Sequence, residues 1–454
     1  MNKQLSQEKG QALVLLVLGF VVLLGFTALA VDGGMVYSNR RHAQNASDAS
    51  SLGGAATAAL YLENHYVDYE NWACTNSGDP IYTQIVNAGQ AGLNAAISRA
   101  GSNDYAIDDD ISDQNGATFR CGQQNTGLWI DKYLDITTTI TTDTNTTFAH
   151  FVYKGPLRNT VTAVARVRPR SPLAFGNAVV ALRTDCPNSN TGGVHIDGNS
   201  TIQVNGGGIL SNACAVVGGS VNVDINGGAL GCVGEGCYTT NGSPSVDPPT
   251  PVVGTTPLPT ASYRIPGPDS GCSTLSDRGD HSGGGTISPG RYGYIRVNSA
   301  NTNLVLRSGL YCLSRDFTIN GGSVRVEDEG GVTIYLTEGD FYVGGSVEVY
   351  LVAPPLPEIA PCQNNTCPPA IPGVLIYLAE GNTNDVVLLG ASGSNYIGTV
   401  YAPSGTIEAG GGSLETINAQ LIGDTVFLHG NTEVVVNYQN TINYRPPASL
   451  ELYK

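Results

Sequence analysis

The fold is decided by Phe317 to Glu327 (FTINGGSVRVE), read against Phe341 to Leu351 (FYVGGSVEVYL). Each sets short alternating apolar runs around a Gly-Gly turn, the period-2 pattern of strands with one buried side. Nearby, Gly331 to Leu336 (GVTIYL) and Gly373 to Leu378 (GVLIYL) repeat in the same way. His195 to Cys232, Asp385 to Pro403 and Ser404 to Tyr438 share this texture of short β runs between Gly-Gly or Asn-Gly turns. A Gly-rich unit of about 20–25 residues with several strands suggests a β-solenoid, whose coils bury their inward side chains only by stacking. The rival is a β-sandwich or meander, since the same dipeptides close hairpins. Two Pro-rich stretches interrupt the region. Residues 243–270 read as an extended linker or large loop, and 353–372, enclosing Cys362 and Cys367, as a disulfide-closed surface loop.

Upstream the decisive stretch is Ala12 to Val31 (ALVLLVLGFVVLLGFTALAV), uncharged throughout and ended by Asp32. As a helix it is about 30 Å long, the thickness of a bilayer's hydrocarbon core. A cleaved signal core is shorter, about 7–15 residues, so a retained anchor is the better reading. Asp32-Gly33-Gly34 is expected to weaken or bend the helix, because each glycine costs about 1 kcal/mol. A helical pattern then resumes to about residue 62. Ala43, Ala46, Ala49, Leu52, Ala56 and Ala59 form a narrow small-residue face, suited either to packing on its own domain or to packing against neighbouring subunits in a filament.

Between 63 and 170 the pattern is mixed. Gln84 to Arg99 reads as a helix with Ile85, Ala88, Ala91 or Gly92, Ala95 and Ala96 on one face. Trp129 to Ile140, Thr147 to Tyr153 and Thr160 to Val167 read as strands. The expected organisation is therefore a head at 1–11, a transmembrane helix at 12–31, a membrane-proximal helix at 32–62, a small α+β unit at 63–170 and the Gly-rich region at 171–454. The fold class is mainly β with an N-terminal transmembrane helix, the solenoid being similar to a right-handed β-helix. The tail from Asn443 carries no distinctive pattern.

The net charge of −16 over 454 residues, with basic clusters only at Arg40-Arg41 and Arg166 to Arg170, argues against nucleic-acid binding. The cysteine count is even: Cys74, Cys121, Cys186, Cys214, Cys232, Cys237, Cys272, Cys312, Cys362 and Cys367. No C-x-x-C pair or zinc spacing occurs. Cys232–Cys237 and Cys362–Cys367 suit small disulfide loops. Proximity alone suggests Cys74–Cys121, Cys186–Cys214 and Cys272–Cys312. Disulfides require an oxidising compartment, which puts the body after residue 32 outside the cytoplasm. Lys3 and Lys9 favour an internal N-terminus, whereas Arg40 and Arg41 oppose it.

A resemblance becomes specific at the N-terminus. Glu8-Lys9-Gly10-Gln11-Ala12-Leu13-Val14, the apolar run, Ala30-Val31-Asp32-Gly33, Tyr37, Arg40-Arg41 and Gln44-Asn45-Ala46-x-Asp48-Ala49 resemble the N-terminal segment of TadG-like proteins of Flp (tight-adherence) pilus assembly. The match covers about the first sixty residues. It implies a membrane-anchored, surface-facing accessory of pilus assembly or adhesion; with the apolar run and the disulfide argument, the expected placement is a single pass through the cytoplasmic membrane, N-terminus inside and bulk extracytoplasmic. Its implied partners are the membrane, pilus-assembly components and other envelope proteins. Residues 148–169 also look like the strand pair that often follows such an anchor. Pilin-type precursors are cut after Gly with Glu at the fifth mature position. Gly10-Gln11 is the candidate processing point here, but Leu15 stands where that Glu belongs.

No catalytic, cofactor-binding or metal residue is assigned. Glycoside cleavage needs two facing carboxylates, and Glu327, Asp328, Glu329, Glu338, Asp340, Glu348 and Glu408 fall at turns or outward positions. There is no G-x-S-x-G and no phosphate loop. Asp48 to Leu52 fails the D-x-S-x-S metal pattern. Asp108, Asp109, Asp110, Asp113, Asn115 and Gly116 gather oxygen ligands without EF-hand spacing. The expectation is a structural and adhesion protein, not an enzyme. The alternatives are a tethered carbohydrate-active enzyme, a carbohydrate-binding protein and a pilin-like filament subunit. Rows of Thr, Asn, Ser and Tyr on a solenoid face suit many weak contacts, surface carbohydrate among them.

Overall fold

Helix α1 (Lys9–Asn64) is continuous over 56 residues in the computed structural model of the chain. The structure describes residues 9–75, 77–112, 114–148, 154–186, 193–254, 256–327, 330–344, 346–356, 370–411, 416–431 and 433–453. Asp32–Gly34, expected to weaken or bend the helix, do not interrupt it. Helix propagates cheaply once nucleated, and the Asp32 carboxylate is engaged by Thr147 and Phe148, so it does not compete for its own backbone. From Ala43 onward one face is buried: Ala43, Ala46, Ser47, Ser50, Ser51, Ala55, Ala58, Ala59 and Leu62. The small-residue stripe is thus used intramolecularly, with its axis slightly rotated from expectation, since Ala49, Leu52 and Ala56 are only half-buried.

Two compact units follow from the chain's contacts. The first comprises 1–123, 132–170 and 448–454, and the second 124–131 and 171–447. In the first, α2 (Pro80–Gly101) starts at Asp79, whose side chain accepts from the Ile81 N–H, with Pro80 in the first turn. Its buried face is Ile85, Ala88, Gly89, Gly92, Leu93, Ala96 and Ala100. It crosses α1 where Gly54 meets Gly92: a Cβ on Gly54 would lie 2.6 Å from the Gly92 carbonyl oxygen. Three strands cover the helices: β1 (Gly116–Asn125), β2 (Ile130–Thr144) and β3 (Leu157–Arg168).

The fourth strand of this sheet is the tail, Ser449–Leu452, antiparallel to β3. Its apolar signal is too short to read as a strand on its own. Arg166 of β3 explains how the tail is held. It forms a bidentate pair with Asp135 at 2.8 and 2.9 Å, and its guanidinium is sandwiched between Tyr133 and Tyr453. Of the strand expected at 147–153, Thr147 and Phe148 lie in a bend, and 149–153 lie outside the described residues.

The second unit is a β-solenoid, not a sandwich, because every pairing in its large sheet is parallel and joins strand n to strand n+3 through most of the stack. Gly309–Leu313, Val332–Leu336 and Val374–Leu378 stack in one column, and Phe317–Ile319, Phe341–Val343 and Val386–Leu388 in the next. Phe317 lies directly under Phe341, their rings 4.9 Å apart and within 4° of parallel. After the glycines the register of the repeat departs from the sequence match. Ser323 pairs with Glu348 and not with Ser346, because the second turn is one residue longer.

The coils do not stack in sequence order. The last, Thr416–Gly430 with Val434–Asn437, pairs with the first, Val179–Ala181, Val194–Gly198 and Thr201–Asn205. The chain therefore builds three coils from 179 to 247 and crosses to the far end of the stack. It then returns from Asp277 toward the coil where it began. The crossing segment is the Pro-rich stretch. Residues 245–247 complete the end coil and 252–254 stack on it, while 256–274 are a large loop strapped along the outside of one sheet. That outer face carries the row Leu210, Val180, Ile422, Tyr401, Tyr377, Tyr335 and Cys312, neighbours in register. Leu258 and Ile265 of the strap are buried against it.

Candidate functional site

Leu13 to Leu29 show no packed face, and their large apolar side chains are exposed. Leu13–Asn64 holds the one stretch among the described residues long and apolar enough to cross a membrane. Gly10 and Gln11 lie in the first turns of α1. At the other end of the run, Asp32 is 2 % exposed and accepts the backbone N–H groups of Thr147 at 2.8 Å and Phe148 at 2.9 Å. Asn39 donates to the Thr144 hydroxyl at 2.9 Å, and Ser47 to the Thr138 carbonyl at 2.7 Å. The seat of Asp32 escaped the sequence reading. Its one signal is a carboxylate set directly against an uncharged run.

Among the described residues four disulfides form: Cys74–Cys121, Cys186–Cys214, Cys232–Cys237 and Cys272–Cys312. Cys362 and Cys367 lie outside the described residues. Cys74–Cys121 ties the segment before α2 to β1. Cys272–Cys312 fastens the end of the strap to the sheet it covers. Two further bonds hold the strap: the Tyr377 hydroxyl donates to the Ile265 carbonyl at 2.7 Å, and the Tyr335 hydroxyl to Asp269 at 2.6 Å. Burial under the strap raises the Tyr377, Tyr335 and Tyr401 phenols above their ordinary range, so they serve as neutral donors.

Among the described residues the candidate carboxylates lie on open faces and most have local partners. Glu327 pairs with Arg307 at 3.0 Å, Asp340 accepts from the Asp385 N–H, and Glu408 bonds His429 at 2.8 Å. Glu338 and Glu348 are exposed, and Asp328 and Glu329 lie outside the described residues. Asp385 is raised by burial, with Asp340 and Glu408 adding to it. This cluster lies on an open sheet face, next to a stack of His195, Phe427 and His429 with ring centroids 4.8 and 4.5 Å apart. The rings cover one another's faces, so Phe427 offers no free face to a sugar.

The acidic turn is satisfied locally. Asp108 accepts from the Asp110 N–H, and Asp110 from Ser112, which lowers the Asp110 carboxyl. Asp113 lies outside the described residues. Ser50 and Ser51 bond back to the helix at Ala46 and Asp48. Among the described residues no group of three His, Cys, Asp or Glu is placed to hold a metal ion.

An asparagine ladder on the solenoid also went unread. Asn226 donates to Asn205, Asn205 to Asn437, Asn437 to Asn418 and Asn418 to Asn395, all at 2.8–3.0 Å. The signal was Asn recurring at one position of the unit.

Comparison with protein families matches residues 10–57 to the Tad family, described as "Putative Flp pilus-assembly TadE/G-like". Curated proteins and solved structures gave no match. The matched span starts at the foot of α1, contains the apolar run, Asp32 and Asp48, and ends within the face buried inside the first unit. Residues 10–57 of helix α1 are accordingly a TadE/G-like segment.

Proposed function

We propose that this is a membrane-anchored, extracytoplasmic structural and adhesion protein of Flp (Tad) pilus assembly, with no catalytic activity. It would cross the cytoplasmic membrane once, N-terminus inside, and hold a stapled solenoid outside. The observation that carries this reading is the unbroken α1: its matched segment joins an apolar span directly to a disulfide-bonded unit. Four disulfides fit an oxidising compartment. The solenoid's long outer faces offer rows of weak contacts to envelope proteins or surface carbohydrate.

The test is the mass of the N-terminal peptide, taken separately from membranes and from material sheared off intact cells. A chain beginning at Met1 and confined to membranes is expected. A chain beginning at Gln11 in the sheared fraction would instead make the protein a pilin-like filament subunit.

A further inference from the structure

We infer that the protein touches the bilayer a second time: the bend that follows β2, beside Asp32, seats on the membrane surface and presents Phe148 to the lipid headgroup zone. The inference rests on the reading of α1 as a membrane anchor. Three ties step along α1 toward its apolar run, from Ser47–Thr138 to Asn39–Thr144 to Asp32–Thr147/Phe148. Between Ser47 and Asp32 the helix covers about 22 Å at 1.5 Å per residue. The strand travels the same way as far as Thr144, and the segment after it brings Thr147 and Phe148 to Asp32, next to Val31, the last residue of the uncharged run.

Asp32 makes this end point fixed. A carboxylate at the membrane boundary is costly unless its oxygens are bonded, and both accept a backbone N–H. The chain after β2 is thereby held at the depth where hydrocarbon gives way to headgroups. The residues just before it are polar, Asn145, Thr146 and Thr147. Phe148 is the first apolar side chain to follow, and 43 % of it is exposed. Tyr37, on α1 five residues past Asp32, is 69 % exposed. Aromatic side chains in such a zone place their rings among the headgroups, as in the aromatic belts of membrane proteins. The occupant of this patch is a phospholipid surface, because the patch continues the exposed apolar surface of α1 and is pinned at its edge.

The experiment uses the full chain in phosphatidylcholine vesicles whose acyl chains are brominated either near the headgroup or near the tail end. Phe148→Trp reports the proposed contact and Phe20→Trp, mid-run, reports the anchor. The parent, whose Trp72 and Trp129 are buried, gives the background. Quenching of Phe148→Trp by shallow bromines well above background, with little from deep ones, is expected, alongside strong deep quenching of Phe20→Trp. If Phe20→Trp is quenched and Phe148→Trp stays at background, the second contact is wrong and the anchor stands. If neither is quenched, the anchor reading fails and takes this inference with it.

Discussion

The Asn205 side chain donates to Asn437 at 2.9 Å, joining two residues 232 positions apart. The bond crosses the seam where the last coil stacks on the first. Along it Arg183 pairs with Asp424 at 2.7 Å, Gln203 bonds Glu433, and Gln420 reaches the carbonyls of Leu173 and Asn177. The seam has the same parallel ladder as any other coil junction, so the covalent break at this point costs the stack nothing in pairing.

A first prediction concerns that seam. With a protease site placed in the strap between 256 and 258, cleavage should leave the two parts in one gel-filtration peak, reduced or not. The seam's backbone ladder and buried core hold them together. Two separate peaks under native conditions would contradict the stacking order.

The strap should be fastened by its last few contacts. Chain-entropy reasoning gives the Cys272–Cys312 link, with 40 residues between its ends, about 4 kcal/mol. Tyr377→Phe removes one buried bond to Ile265, worth about 1 kcal/mol. Replacing both cysteines with Ser should lower the denaturation midpoint clearly more than Tyr377→Phe, and should make 256–274 sensitive to limited proteolysis. Equal midpoints for all variants would show that the strap adds no stability.

Two glycine positions in α1 should respond oppositely to alanine. At Gly54 a Cβ meets a backbone oxygen at 2.6 Å, which cannot turn aside, so Gly54→Ala should destabilise the first unit by about 1–3 kcal/mol despite better helix propensity. At Gly33 nothing lies within 4 Å, so Gly33→Ala should be stabilising by up to about 1 kcal/mol. Thermal unfolding in detergent, followed by circular dichroism, checks both signs.

Acid should weaken the seam through His195. Burial lowers its pKa below the ordinary value, with Asp197 opposing and His429 adding to the shift. Phe427 and His429 face it from the 416–430 strand, Glu408 lies behind His429, and Val216 flanks it on the other side. The neutral ring is favoured in the fold. Its contribution is therefore complete above about pH 6.5 and is lost as pH falls through that value toward the lowered folded pKa. Denaturant midpoints should fall over that window, and His195→Gln should flatten the fall. An unchanged slope in the variant would remove His195 from the account.

Much of this architecture was legible because repetition is a strong signal. Phe317 over Phe341 and Val332–Leu336 over Val374–Leu378 follow directly from matching apolar runs. What could not be read was long-range order. Nothing local to Val179 or Leu421 says that they are neighbours, since a parallel ladder accepts any strand with the right alternation. The packing of the strap was not legible for a related reason. Proline content describes an extended backbone, but Leu258 and Ile265 find their burial only against the outward row of Tyr335, Tyr377 and Tyr401. The glycines of helix α1 mark a weak point or bend because propensity is local, whereas the helix's continuity is secured by packing beyond Ala43 and by the Asp32 seat.

The central claim, an outward-facing body on an inward-starting anchor, is tested most directly by lysine labelling. Intact cells with a permeabilised outer membrane would be treated with a membrane-impermeant amine reagent, and the modified peptides mapped by mass. Lys154 is exposed on the first unit, while Lys3 and Lys9 precede the apolar run. The account predicts labelling of Lys154, with Lys3 and Lys9 modified only after the cytoplasmic membrane is broken. Labelling of Lys3 and Lys9 on intact cells with Lys154 protected would contradict it.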